Sequence, residues 1–274
     1  MIDGSLQKEL REMYNPEGSV QRKTQLRQLD ILIELDRVCR MNDIAYWLDS
    51  GTLLGAVRHG GFIPWDDDLD VCILLSDYDR FCECMRRDLH APYKLYDEDN
   101  QPGGYYLRWP RVVDDSIMVR RVVSDGKLER RDPLWVDAFL MTPGHPAVVR
   151  VIDRAYGRCY RRKRGIVKDS RLKVIIGKVL YPLMSAVVAV ARLSGRLFHP
   201  GTYVHDYASG FYSMRKKKNI FPLSEIEFEG HRFPAPCNAD AYLRMIYGDY
   251  MRIPPKEKRI THNILEVMCD NDDK

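Results

Sequence analysis

The sequence predicts an α/β (α+β) fold, a mixed β-sheet with flanking helices and a helical basic insert. Three observations carry this reading. In the first half of the chain, segments of helical period alternate with short apolar runs in the order helix, strand, helix, strand, helix, then several strands, as expected of a sheet with helices against it. The 274 residues are 45% hydrophobic and 30% charged, enough to bury a core and too apolar for wholesale disorder. Charge is uneven: residues 150–218 hold 17 Lys/Arg against Asp153, Asp169 and Asp206, a balance of +14 in a chain whose total is +4. Such asymmetry predicts a cationic face on a mildly acidic body.

The elements follow in order. Leu26, Leu29, Leu32, Ile33, Leu35 and Cys39 recur with helical period over residues 20–42. Ile44 to Leu48 reads as a short buried strand. Asp49-Ser50-Gly51-Thr52 offers cap residues for a short helix that Gly60-Gly61 closes. Asp68 to Leu74 reads as a second strand, and Ser76 can cap a helix through Leu89. Tyr105 to Val113, Ile117 to Val123 and Leu134 to Met141 are further strands, with turn formers at Asp114-Asp115 and Ser124-Asp125-Gly126. From Pro146 to about Lys218 the chain reads as mostly helical. Glu227 to Phe233 reads as a hairpin turning at Gly230, and Ala239 to Tyr247 as a helix. These elements divide into an α/β core (1–141), a helical basic and apolar insert (142–218), and a C-terminal hairpin and helix that complete the core domain (219–274).

The stretch Ile63-Pro64-Trp65-Asp66-Asp67-Asp68-Leu69-Asp70-Val71 is the most informative chemically. Side chains alternate along a strand, so Asp68 and Asp70 share a face while Leu69, Val71 and Ile73 enter the core. Neighbouring carboxylates repel, partial burial makes this worse, and a divalent cation relieves it; all-oxygen ligands favour Mg²⁺ or Mn²⁺. The alternative is a solvated acidic turn, with Asp66 either joining the metal site or bracing the loop. Asp137, a lone charge in an apolar strand, is the candidate third acid for phosphoryl transfer, or else the partner of Arg130 or Arg131. Ser50-Gly51-Thr52 stands before a helix start suited to phosphate. Arg58 and His59, one to two turns later, can reach the same phosphates, and for Arg58 ligand contact is favoured over a surface ion pair.

Gly51 to His59, Ile63 to Asp70, and Trp135-Val136-Asp137 resemble the signature of the LicD family, which includes fukutin-like proteins of the nucleotidyltransferase-fold superfamily. The resemblance continues in Phe228-Glu229-Gly230, Pro234-Ala235-Pro236, Tyr247-Gly248-Asp249-Tyr250 and Pro254-Pro255. It thus covers roughly residues 25–262 and leaves 142–218 without a motif. It implies a nucleotidyltransferase-like sheet and a phosphotransferase moving phosphocholine, or a related phospho-alcohol, from a CDP-activated donor onto a glycan. By that analogy Asp68 and Asp70 hold Mg²⁺ across the donor diphosphate. Asp137 acts as base or third ligand, and Gly51, Thr52 and Arg58 hold phosphates. Asp249 and His262 belong to the donor site or to the packing, and Trp65 stacks on a base or sits in the core.

Two other classes compete. A nucleotidyltransferase proper would use the same acids. A nucleic-acid binder would use the basic window, but Arg161 to Arg164 has only Tyr156 and Tyr160 nearby for base stacking, so no nucleic acid is expected. The start lacks the basic cluster and apolar run of a secretory signal, and seven cysteines without metal-like spacing suit reduced thiols, so a cytoplasmic protein is expected. Val174 to Leu193 approaches the length of a membrane span, with basic residues on both sides. A single crossing would separate the metal acids from Tyr247-Gly248-Asp249. The segment is therefore a buried core helix or one lying in the interface of an anionic membrane, and the flanking charge favours the latter, with 161–193 as the contact and the inner face of the cytoplasmic membrane as the place. That position suits a lipid-linked glycan acceptor.

Overall fold

The computed structural model describes residues 1–98, 100, 107–123, 128–164, 169–259 and 264–269. After a short first helix, α1 (Gly4–Tyr14), Ser19 caps α2 (Val20–Met41) by accepting from the Arg22 amide at 3.1 Å. α2 buries Leu29, Leu32, Leu35 and Cys39, as its period predicts, together with Ile31 and Val38, while Leu26 and Ile33 are half-buried at the edge of the stripe. β1 (Tyr46–Leu48), α3 (Ser50–His59) and β2 (Asp70–Leu74) follow, and Gly60 ends α3 at φ 68°. The expected Ser76 cap is replaced by a 3₁₀ turn over Leu75–Asp77, after which α4 (Tyr78–Asp88) begins.

The main sheet is mixed. Further strands are β3 (Tyr93–Tyr96), β4 (Arg111–Val123), β5 (Leu128–Pro143), β6 (Thr202–His205) and, near the end of the chain, β10 (Ile264–Cys269). The sheet order is β1-β2-β5-β4-β10, with β3 also on β4 and β6 also on β5. β2 and β5 run parallel, which sets Asp70 beside Asp137; the other pairings are antiparallel. Asp114-Asp115, expected as a turn, instead lies inside one continuous β4, where the register with β5 shifts between Asp114 and Met118. The first residues of the strand expected from Tyr105 lie outside the described residues, and its regular part starts at Arg111.

After β5, α5 (Pro146–Lys163) and the 28-residue α6 (Arg171–Phe198) form a pair. Helix does not continue to Lys218. β6 rejoins the sheet on β5, β7 (Arg215–Lys216) pairs with β6, and a single turn, α7 (Lys217–Ile220), follows. The hairpin β8 (Ser224–Phe228) and β9 (His231–Ala235) turns at Gly230, and α8 (Ala239–Tyr247) matches its expected bounds. β10 (Ile264–Cys269), absent from the sequence reading, pairs with β4. One core unites α2, α3, α4, α8 and the sheet. A second, formed by Val149, Tyr156, Val188, Val204 and Tyr207, joins α5 and α6 to the end of β6. α6 itself is not a core helix: of its most apolar 18-residue stretch, 11% is buried.

Candidate active site

The aspartate loop is fixed through its backbone. Gln21 and Gln25 side-chain amides donate to the Asp66 carbonyl at 2.6 and 2.7 Å, and Gln28 donates to the Asp67 carbonyl at 2.8 Å. These glutamines recur at i, i+4 and i+7 on one face of α2, and Gln25 and Gln28 are fully buried. A buried amide needs partners, so polar residues on a core-facing stripe were the sequence signal for this brace. On the other side, Glu229 at the β8–β9 turn accepts from the Phe62 amide at 3.0 Å and pairs with Arg22 at 2.8 Å. Its own amide donates to the Gly60 carbonyl at 3.1 Å. A β carbon on Gly61 would lie 2.1 Å from Glu229 Oε1, so a larger residue there would push this carboxylate off the Phe62 amide. Phe228-Glu229-Gly230 therefore acts as a latch on the loop.

The start of β2 is equally tied. The Asp70 amide donates to Thr52 Oγ1 at 2.8 Å, the Asp49 amide to the Asp70 carbonyl at 3.1 Å, and the Asp137 amide to the Leu69 carbonyl at 3.0 Å. Asp66, Asp68 and Asp70 consequently line one cleft of about 510 Å³, with Ser50 and Gly51 at the start of α3, Phe139 on β5, His205 on β6, Arg215 on β7 and Tyr247 on α8. Ser50 holds a positive φ of 45°, a strained conformation of the kind that persists where surrounding structure fixes it. A β carbon on Gly51 would stand 2.8 Å from Asp66 Oδ2, so glycine lets the helix start approach the acid wall.

Electrostatics separate the acids. Burial, then the charges of Asp68, Asp137, Asp49 and Asp66, push the Asp70 carboxyl well above the usual carboxylate range. A cation beside Asp70 would restore its ionised form, and the oxygen-only donors of Asp66, Asp68 and Asp70 fit a hard divalent ion such as Mg²⁺ or Mn²⁺. Asp49 is different. Expected as a helix cap, it makes no side-chain cap bond; it is fully buried, accepts from the Tyr242 hydroxyl at 2.6 Å, and has both oxygens 3.3 Å from Arg215 Nη2. Burial opposes its ionisation, but Arg215, His205 and Tyr242 outweigh it and hold its carboxyl well below the usual range. His205 lies 3.4 Å from Asp49, yet burial and then Arg215 lower its pKa to about 3, so the ring is neutral near pH 7. Neither of its ring nitrogens has a hydrogen-bond partner among the described residues.

Several expected site residues do other work. Both oxygens of Asp137 are saturated: Oδ1 accepts from Trp109 Nε1 at 2.6 Å and from Arg111 Nε, and Oδ2 accepts from Arg111 Nη2 at 3.0 Å and Trp135 Nε1 at 2.9 Å. The ion pair expected with Arg130 or Arg131 is therefore made by Arg111, which faces Asp137 across the β4–β5 register. With about four acceptor positions filled, the carboxylate in this arrangement presents no lone pair to a metal. Arg58, expected on phosphate, is buried and donates to the carbonyls of Tyr250 at 2.7 Å and Arg252 at 3.4 Å. Burial lowers its pKa to about 10. Arg58 and Thr52 thus hold backbone, and Arg215 is the arginine in the cleft. Asp249 is exposed just beyond α8 and does not line the cleft, while Trp65 packs edge-on against Tyr14 and His59 in the interior. His262 lies outside the described residues. Arg215 and His205 left no sequence signal beyond their residue type.

A model of the LicD/FKTN/FKRP nucleotidyltransferase domain matches residues 43–120, the interval holding Asp49, Gly51 and Asp66 to Asp70. Lipopolysaccharide cholinephosphotransferase LicD of Haemophilus influenzae is 29% identical over 261 residues, 90% of this chain and 97% of that protein. Ribitol 5-phosphate transferase FKRP of human and of mouse are each 54% identical over 43 residues, 16% of this chain and 8% of theirs.

Proposed function

Starting from a chain that belongs to the LicD family, we propose a metal-dependent phosphotransferase that moves phosphocholine or a related phospho-alcohol from a CDP-activated donor onto a glycan. One observation carries the reading: a single cleft gathers Asp66, Asp68 and Asp70 with an arginine, a neutral histidine and a helix start. Its relatives, a cholinephosphotransferase and a ribitol 5-phosphate transferase, support the class of group transferred. In this reading Asp68 and Asp70, with Asp66 beside them, hold Mg²⁺ or Mn²⁺, which when bound supplies positive charge against the donor diphosphate.

The chain's own residues do the remainder. The amide end of α3 at Ser50 and Gly51 receives phosphate oxygens, with the Gly51 backbone free to approach. Arg215, kept charged by Asp49, stabilises negative charge that develops on the transferred phosphoryl group. His205, neutral and with both nitrogens open among the described residues, hydrogen-bonds the acceptor hydroxyl. Asp137 positions: through Arg111 and the two tryptophans it fixes the strand abreast of Asp70. Thr52 and Arg58 position the start of β2 and the turn after α8.

The test is incubation with Mg²⁺, a glycan acceptor and a panel of CDP-alcohols. Release of CMP with one donor, abolished by EDTA, is the expected result. Nucleotidyl transfer, which the description of the matching domain keeps in view, would instead release pyrophosphate. Donor-independent silence across the panel, with a folded protein, would overturn the CDP-alcohol reading.

A further inference from the structure

α6 is apolar on two opposite faces, and only one is covered. Gly177, Tyr181, Met184, Val188, Ala191 and Gly195 form the packed stripe, so close that a β carbon on Gly195 would lie 2.1 Å from the Pro143 carbonyl oxygen. Arg192 adds an ion pair to Asp206 at 2.9 Å. Opposite this stripe, Ile175, Val179, Leu183, Val190, Leu193 and Leu197 are each between 57% and 69% exposed. A helix of this length runs about 42 Å, and so long an exposed apolar face is not a solvated surface.

Charge identifies what covers it. Arg171, Lys178 and Arg196 are exposed and stand at spacings of whole helical turns, so they form one line along the edge of the apolar stripe. Where α6 ends, exposed Phe198 shares a hollow of about 710 Å³ with Lys216, Lys217 and Lys218. The acids of this region are turned to other use: Asp153 accepts from Tyr212 at 2.9 Å, Asp169 pairs with Arg162 at 2.8 Å, and Asp206 with Arg192. The Arg161 to Arg164 cluster contributes less than its sequence suggests, because Arg162 is so paired, Arg164 pairs with Glu98 at 3.0 Å, and Lys163 lies over the Tyr181 ring at 4.1 Å.

We propose that α6 lies in the interface of an anionic membrane, its exposed stripe at the level of the acyl chains and Arg171, Lys178, Arg196 and Lys216 to Lys218 on the head groups. A spanning orientation is unsuited to it, since its packed stripe and Arg192 bind it lengthwise to the body. β7 links this surface to the cleft, with Arg215 lining the cleft and the next residue, Lys216, lining the lysine hollow. The inference is independent of the transferase reading, because vesicle binding is measured without substrate.

Flotation of the full chain with vesicles of phosphatidylcholine alone, or of equal parts phosphatidylcholine and phosphatidylglycerol, tests it. Binding is expected on the anionic vesicles and should fall with salt. Arg171→Glu/Lys178→Glu/Arg196→Glu should weaken it at least roughly a hundredfold, the loss expected from three surface cations before the repulsion of the new carboxylates is added. Leu183→Glu/Val190→Glu should also weaken it, at unchanged melting temperature. If that variant melts earlier, the arginine and lysine reversal alone decides, since its side chains stand in water. No binding at low salt overturns the proposal. So does a concentration-dependent dimer that Leu183→Glu/Val190→Glu converts to monomer without vesicle binding, which would assign the face to a second copy of the chain.

Discussion

Asp49 and Asp70 stand at facing ends of adjacent strands, joined by a backbone hydrogen bond of 3.1 Å, yet their surroundings oppose each other. Asp49 is enclosed by Arg215 and the Tyr242 hydroxyl, so burial strengthens its charge pairing. Asp70 is surrounded by other acids, so burial works against its charge. Asp137 sits on the Asp49 side of this divide, closed by Arg111 and two indole N–H groups. Identical side chains on one sheet thus separate into acids that hold the protein together and an acid wall suited to a cation. The neighbours decide which is which.

The comparison breaks most sharply at Asp70. Asp70→Asn removes a charge from the crowded wall and should lower turnover at least about a thousandfold, some 4 kcal/mol of barrier. Its melting temperature should hold or rise, because repulsion is relieved. Steady-state kinetics alongside a thermal melt distinguish this from a folding defect; full activity in excess EDTA would end the metal mechanism. Asp49→Asn should do the reverse. It leaves Arg215 buried without its anion, and denaturant titration should register a loss of about 3–5 kcal/mol, the range for a broken buried pair.

Asp137→Asn should cost as much, about 3–5 kcal/mol, because the single amide oxygen can take over only one side of the carboxylate, its NH2 group faces the N–H donors on the other, and the buried ion pair with Arg111 is broken. Donor affinity should be near normal and turnover reduced through the displaced strand. A loss of metal affinity by calorimetry, without loss of stability, would instead return Asp137 to the ligand set.

The smallest effect concerns acid. His59 and His205 are buried and neutral, each with its pKa lowered to about 3 by burial first and by a neighbouring arginine second. Unfolded, each would titrate near 6.5, so between about pH 6.5 and 3 the unfolded chain binds protons that the folded chain does not, and stability falls as pH falls. Between pH 6.5 and 5 the loss should approach about 2 kcal/mol per histidine as an upper bound. His205→Gln should flatten the melting temperature over that window; an unchanged slope would show that the ring is protonated in the fold.

Much of the fold was legible locally. The period of α2, the Gly60 stop, the Gly230 hairpin and the bounds of α8 each follow from residues within a few positions of one another. The acid wall is legible in part: Asp68 and Asp70 share the cleft as alternation would place them, but the strand expected from Asp68 begins only at Asp70, and Asp68 stands in the loop that the α2 glutamines brace. β6 follows two helices with no local signal that the chain returns to the sheet, and Asp114-Asp115 carries turn chemistry that the sheet overrides with a register shift inside β4.

The acid cluster, the glycine in the first turn of α3 and the basic, apolar character of α6 are legible in the chain alone, since each is a property of adjacent residues. Which arginine enters the cleft depends on long-range packing. Arg58 lies close to the acids in sequence but is drawn to the Tyr250 carbonyl, whereas Arg215, 166 positions from Asp49, is delivered to it by the pairing of β6 on β5 and β7 on β6. Sheet order and burial choose such partners, because a buried charge is stable only where another part of the chain brings its opposite, and no local spacing encodes that meeting.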